Sequence, residues 1–331
     1  MGEESEWRFT YNLGVPLKSV DERFGLSSIY EELAFRALRL SAEMEQGIKL
    51  EKVRGWIAAL KSTSTPDSKT NPVQLRTEAG AALVGWLLSP NSRPGMYAIL
   101  DIGAWTTDIS VFRCIKAADR EGGKVSSDFY STEVARNAMN EIDELTRTGL
   151  RRLWSLNDQP GQTRPEPTLD FLRSCREKAV LATVRLEVLR NTRYSPLPAF
   201  HYACAYTSER ILDVLRSALK TAQKEKEPLQ KDWGKCHLFV CGGGAAESSL
   251  WKCLPSMIPI LGSVDPIPPL PLKGLNNVLM AELTHRFTVA AGLAVPIALW
   301  PSMPKPSQVP QASAATLKKH LSTSEELGYE Q

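Results

Sequence analysis

Asp101-Ile102-Gly103-Ala104-Trp105-Thr106-Thr107-Asp108 holds the densest potential chemistry in the sequence. An acidic strand end opens there into a tight turn with two hydroxyls and a second carboxylate. Such a turn can bring backbone N–H groups to a phosphate, with Thr106 and Thr107 donating and Asp101 and Asp108 holding a hydrated magnesium ion. Asp, Gly and Thr are also ordinary turn residues, so a plain hairpin accounts for the same string. A second candidate is Gly242-Gly243-Gly244-Ala245, directly after the apolar run His237-Leu238-Phe239-Val240-Cys241. Strand, glycine run and helix in that order make a phosphate-site arrangement, although a glycine run can equally be a flexible turn.

Other chemistries find little support. There is no Gly-x-x-x-x-Gly-Lys-[Ser/Thr] loop and no Gly-x-Ser-x-Gly elbow. His201, His237, His285 and His320 fall on different predicted elements, which favours surface or core roles over catalysis. The six cysteines form no Cys-x-x-Cys pair and have no histidine at zinc-finger spacing, so they read as reduced thiols. Trp86, Trp154 and Trp251 read as core or interface fillers.

The elements that must position these residues follow from periodicity. Arg8 to Val15 reads as a short strand stopped by Pro16. Ser28 with Glu31 suggests a capping box, ahead of an apolar stripe of Tyr30, Leu33, Ala34, Ala37 and Leu38. Val73 and Leu75 suggest a second strand, and Thr77 to Trp86 is a small-residue helix suited to very close packing. Tyr97–Ile102 and Thr107–Arg113 form a hairpin. The stretch from Ser131 to Ala222 reads as mostly helical, through Leu172, Cys175, Ala179, Ala182, Leu186 and Leu189 and then Ile211, Leu215, Ala218 and Ala222, with a proline-containing break from Asp158 to Pro167. The glycine run is expected to enter a helix, followed by a proline-rich loop over Leu254–Pro271 and a helix over Arg286–Ala294. The tail from Pro301, rich in Pro, Ser, Lys and Gln, reads as disordered.

The 331 residues carry a net charge of +3, with 43% hydrophobic and 23% charged residues. That is enough chain for two medium domains and too little charge to suggest a grip on nucleic acid or acidic lipid. The weakly polar stretch Thr288–Trp300 is too short to span a bilayer and contains Pro296. The acidic start, Met1-Gly2-Glu3-Glu4-Ser5-Glu6, lacks the basic start and apolar run of a signal peptide. The expectation is a cytosolic protein with no membrane span and no nucleic-acid partner.

The order of the segments carries more information than any one of them. A Gly-Val-Pro strand, a Glu-Ala-Gly-Ala-Ala helix, an Asp-Ile-Gly hairpin, Val-Cys-Gly-Gly-Gly-Ala and Val-Ala-Ala-Gly-Leu-Ala follow one another. This series resembles the superfamily of actin, DnaK-type heat-shock chaperones and sugar kinases, over roughly Phe9 to Pro296. The resemblance implies an α/β, actin-like (ribonuclease H-like) ATPase fold of two lobes. It also implies ATP and Mg2+ as cofactors. Asp101, Gly103, Thr106, Thr107 and Asp108 match the second phosphate motif, with Asp101 and Asp108 as the metal positions. Gly242, Gly243 and Gly244 match the adenosine motif. Glu78 falls where chaperone-like members place an acid near the attacking water, which with Asp101 completes the expected catalytic pair. Val289–Ala294 matches the second connecting helix.

The sequence also departs from the pattern. Ala104 and Trp105 stand where many relatives have two glycines, and Ala246 where chaperones carry an adenine-stacking arginine. No Asp-x-Gly-Thr-like first phosphate turn precedes Phe9, so the first lobe is expected to be N-terminally incomplete and to be completed by an upstream segment or a protein partner. The expected layout is a partial first lobe over 1–95 and a second lobe over 96–280 with a helical insertion at about 131–235. The second connecting helix, 281–300, and a disordered tail, 301–331, complete it. The implied function is Mg-dependent ATP binding or hydrolysis coupled to lobe closure and partner regulation. The alternatives are a non-catalytic scaffold with this fold and an actin-like filament subunit.

Overall fold

The computed structural model describes residues 11–21, 26–44, 55, 73–115, 125–156, 197–225, 236–267 and 288–310. The expected α/β class is what it shows. The described elements begin with β1 (Tyr11–Val15), the short helix α1 (Leu17–Val20) and α2 (Ser27–Met44), then β2 (Val73–Thr77) and α3 (Glu78–Leu88). There follow β3 (Gly95–Ile102), β4 (Thr107–Ile115), β5 (Ser126–Ala135), α4 (Met139–Leu156), α5 (Leu197–Glu225) and β6 (Cys236–Cys241). The turn helix α6 (Leu254–Met257) and β7 (Leu261–Pro266) come next. Strands β1 and β2 pair in parallel, and the main sheet has the order β5-β4-β3-β6-β7. Within it, β3–β4 and β4–β5 are antiparallel, while β3–β6 and β6–β7 are parallel.

Strand alternation gives the sheet two unlike faces. Met96, Ala98, Leu100 and Ile102 of β3 point to one core, with Ile211, Leu215, Ala218 and Ala222 of α5 and Ile142 of α4. Tyr97 and Ile99 point to the other, under Leu83, Trp86 and Leu87 of α3. Trp86 packs edge-on against Tyr97 and Phe239, with centroids 4.8 and 4.9 Å away, and Tyr97 stacks on Phe112 and Phe239. Each large apolar side chain buried there contributes about 1.5–3 kcal/mol, which fixes α3 across the sheet. The close packing expected of α3 is real: a Cβ on Gly292 would overlap the Ala81 backbone, so the helical residues 288–293 rest directly on α3. Asn12 Nδ2 donates to the Leu293 carbonyl at 2.9 Å and ties that helix end to β1.

The structure departs from the sequence-based expectation at several elements. Helix α2 starts at Ser27, so Ser28 lies inside its first turn rather than ahead of it, and Leu33 of the expected apolar stripe is 58% exposed. Ser131–Ala135 is strand, the end of β5, and among the described residues α4 and α5 realise the expected helical region; Leu172 to Leu189 and the Asp158–Pro167 connection lie outside the described residues. The glycine run enters two 3-10 turns, Gly243–Ala246 and Ser248–Leu250, in place of the expected helix. The proline-rich stretch contains α6 and β7. Residues 301–310 of the tail are packed: Ser127 and Phe129 of β5 donate backbone hydrogen bonds to the carbonyls of Ser302 and Pro304. Lys305 Nζ reaches the Val20 carbonyl at 2.8 Å, and Val309 is buried. Residues 311–331 lie outside the described residues.

Candidate functional site

The hairpin places its two aspartates side by side. Asp101 on β3 and Asp108 on β4 are register partners, and Cys241 on β6 is the other partner of Asp101. By strand alternation they share the face of Tyr97, Phe112 and Phe239, and lie at its end, where the aromatic layer stops. Glu78 comes to the same end because it is the first residue of α3. Thr77 caps that helix by accepting the Gly80 N–H at 3.1 Å, a local bond that fixes where the helix begins.

Electrostatics ties the four groups together. Burial, then Glu78 and Asp108, push the Asp101 carboxyl up to about 7. Glu78 is raised by burial and by Asp108. Burial also raises Asp108, while the hydrogen bond that Thr106 Oγ1 donates to its Oδ2 at 3.2 Å pulls the other way. The Cys241 thiol is held well above its ordinary value by burial and then by Asp101, Glu78 and Asp108. Among the described residues no Lys, Arg or His offsets the three carboxylates. Charge gathered in a low-dielectric place without a partner is costly, and either a proton or a cation relieves it.

The glycine turn closes the site from the side. Gly242 has φ +79°, a conformation that favours glycine, and a Cβ there would overlap Asp101 Oδ1 and the Ile102 carbonyl. Gly244 packs against the Ile102 side chain in the same way, and Gly243 opens the first 3-10 turn. The hairpin tip is held from below: Met139 and Asn140, at the start of α4, donate N–H groups to the carbonyls of Gly103 and Ala104 at 3.3 and 2.8 Å. The Gly103 N–H bonds the Thr106 carbonyl at 2.9 Å, while the N–H groups of Ala104, Trp105 and Thr106 donate to no backbone carbonyl among the described residues.

The structure thus brings together Glu78, Asp101, Gly103, Thr106, Asp108 and Gly242 to Gly244. Thr107 is separated from them. Paired with Ile102, it faces the opposite side of the sheet, fully buried, with its hydroxyl donated to the Asn137 carbonyl at 2.8 Å. Cys241 and the start of α4 were not legible as parts of the site. Only strand register reveals the first, and the second bonds through its backbone. Trp105 is 77% exposed at the tip.

Among the described residues no group of three or more His, Cys, Asp and Glu side chains converges closely enough to hold a metal ion by itself. Adjacent aspartates with uncompensated charge fit magnesium, which takes one or two carboxylates and keeps most of its waters. The residues present fit that ion better than a dehydrated one.

No protein-family model matches the sequence, and no curated protein matches it. Among solved structures the chain is similar to the pCBH ParM non-polymerisable quadruple mutant, at 14% identity over 86% of this chain and 66% of that one, with a TM-score of 0.44. It is similar to an archaeal actin homologue at 13% identity, over 67% of this chain and 54% of that one, TM-score 0.38. A 15-stranded ParM filament from Clostridium botulinum gives 14% identity, 70% and 54% coverage and a TM-score of 0.38. The chain therefore spans about two thirds or less of the length of these structures. Among the described residues no helix is long and apolar enough to cross a membrane.

Proposed function

We propose that this chain is an actin-like nucleotide-binding module that takes ATP with magnesium at the end of the β3–β4 hairpin. The observation that carries the reading is the meeting of Asp101, Asp108 and Glu78 with the Gly242 turn, which comes so close that only glycine fits beside Asp101. Magnesium, when bound, supplies positive charge that screens the phosphates. Asp101 and Asp108 would hold the ion, and Thr106 orients Asp108 through its hydroxyl. Glu78 positions water from the start of α3, and Gly242 to Gly244 admit the nucleoside. Thr107 takes no part through its hydroxyl.

Hydrolysis is a further step in the proposal. Phosphoryl transfer depends on charge and position on both sides of the phosphate, and this site provides one side. β1 pairs only with β2 among the described residues, so its other edge can accept a strand from an upstream segment or a partner protein. Such a strand would complete the first lobe, and lobe closure on ATP would then alter a partner surface. The test is calorimetric titration with ATP in the presence and absence of magnesium. Micromolar, magnesium-dependent binding that Asp101→Ala removes is the expected result; no binding in either condition overturns the reading.

The exposed Trp105 favours a second reading, a non-catalytic interaction module. In that case Trp105→Ala weakens partner binding and Asp101→Ala changes nothing.

A further inference from the structure

The tip of the β3–β4 hairpin is aimed through its carbonyls. The first turn of α4 donates the Met139 and Asn140 N–H groups to the Gly103 and Ala104 carbonyls. In a trans peptide the C=O and the N–H that follows it point in opposite directions, and no peptide bond among the described residues is cis. A carbonyl drawn toward α4 therefore turns the next N–H away from it. The Gly103 carbonyl orients the Ala104 N–H in this way, and the Ala104 carbonyl orients the Trp105 N–H. α4 lies on the side of the sheet where Ile102 packs in one core with Met139 and Ile142. Away from α4 is the side of Asp101 and Asp108, which alternate with Ile102 and Thr107 along the hairpin.

That aim depends on where α4 starts, and one side chain holds the start. Glu141 is the acidic residue of the first turn of α4. Its Oε2 accepts a hydrogen bond from Asn137 Nδ2 at 2.7 Å, in the connection that leads in from β5, and a longer one from the Thr207 hydroxyl of α5 at 3.5 Å. One carboxylate oxygen thus ties together the connection, the first turn of α4 and α5. Bonds to a charged acceptor are roughly twice as strong as neutral ones. Further along α4, Ile142 is buried in one core with Ile211 and Leu215 of α5, so apolar packing fixes the body of the helix without Glu141. Packing of that kind is non-directional, and it places a helix without orienting its first N–H groups. Fold and aim therefore rest on different residues.

We propose that Glu141 is a positioning residue for the phosphate chain: it holds the first turn of α4 so that the N–H groups of Ala104 and Trp105 are presented to phosphate. The inference rests on the ATP-binding reading above. Glu141 acts through the backbone of Met139 and Asn140 and not by contact with the ligand. Successive N–H groups turned to one side suit an anion, and donors fixed in advance need no reorganisation when it arrives.

The experiment titrates the full chain with MgATP and with magnesium tripolyphosphate, which has neither base nor sugar, and follows the Ala104 and Trp105 amide resonances to saturation. Glu141→Ala is expected to weaken both ligands about tenfold, the worth of one charge-assisted hydrogen bond, and to shrink the ligand-induced shifts of the two amides. Glu141→Gln keeps a side-chain oxygen for Asn137 and is expected to stay within about threefold of wild type, with the shifts preserved. Asn137→Asp sets a second carboxylate against Glu141 and is expected to behave like Glu141→Ala, which keeps the test open if that variant does not fold. Circular dichroism melts establish which variants are folded. Wild-type affinity in Glu141→Ala and Asn137→Asp overturns the role and leaves the phosphate site standing. Weakened binding with full amide shifts overturns it too, since the N–H groups would then be aimed without Glu141. So does an equal loss in Glu141→Gln, which would make charge and not the hydrogen bond responsible. A wild-type chain that binds neither ligand overturns the ATP-binding reading and the positioning role with it.

Discussion

The two sides of β3 solve opposite problems with one strand. Toward α4 and α5, Met96, Ala98, Leu100 and Ile102 form a dry row that stays apolar to the strand's end. Toward α3, Tyr97 and Ile99 give way to Asp101, where burial continues but the chemistry changes. The first side is satisfied by packing alone. The second carries charge that packing cannot neutralise, so it is completed by a proton or a ligand. The difference teaches that stability and function are divided between alternate residues of one strand.

Mutations on the two sides should therefore differ in sign. The largest effect is expected from Ile102→Ala on the dry side, a loss of about 2–5 kcal/mol in denaturant unfolding, because Gly244 also rests on that side chain. On the other side Asp101→Asn should raise stability at pH 8. Its folded-state value, about 7, lies above its ordinary 3.8, so the folded chain holds this proton more tightly than the unfolded one. Stability is then greatest below about pH 4, falls as pH rises to about 7 and levels off beyond. Melts of Asp101→Asn should show this fall diminished; an unchanged pH profile would remove the electrostatic contrast.

Two smaller effects sharpen the boundary. Gly242→Ala should cost about 1–3 kcal/mol, from the positive φ and the overlap with Asp101, and should weaken ATP more than it weakens the fold. Thr107→Val should cost about 0.5–1.5 kcal/mol by removing the hydrogen bond to the half-buried Asn137 carbonyl, while MgATP affinity stays within about twofold. If Thr107→Val abolished nucleotide binding, the assignment of its hydroxyl to the fold would be wrong.

How much was legible in the sequence follows the same division. The hairpin showed itself because Ile109 and Val111 alternate with polar residues, and α3 because Thr77 caps a run of small and apolar residues. Strand β5 did not, since Ser127, Asp128, Ser131 and Thr132 are buried polar residues and leave no apolar alternation. Ser131 is satisfied by the Ala218 carbonyl of α5, a partner 87 residues away that no local pattern announces. The tail failed for a related reason: 301–310 needs no core of its own because it borrows the edge of β5. At the site, residue types and order identified Asp101, Asp108 and the glycines. The direction of Thr107 depends on strand register, and the approach of Glu78 depends on how α3 crosses the sheet.

The central claim is that the three carboxylates form an incomplete site which a hydrated cation completes. Titrating MgATP into the chain at pH 7 in two buffers of different ionisation enthalpy tests this most directly, because it counts the protons released on binding. The account predicts release of a sizeable fraction of a proton per ATP bound, lost in Asp101→Asn. Binding with no buffer dependence, and with equal affinity in Asp101→Asn, would contradict it.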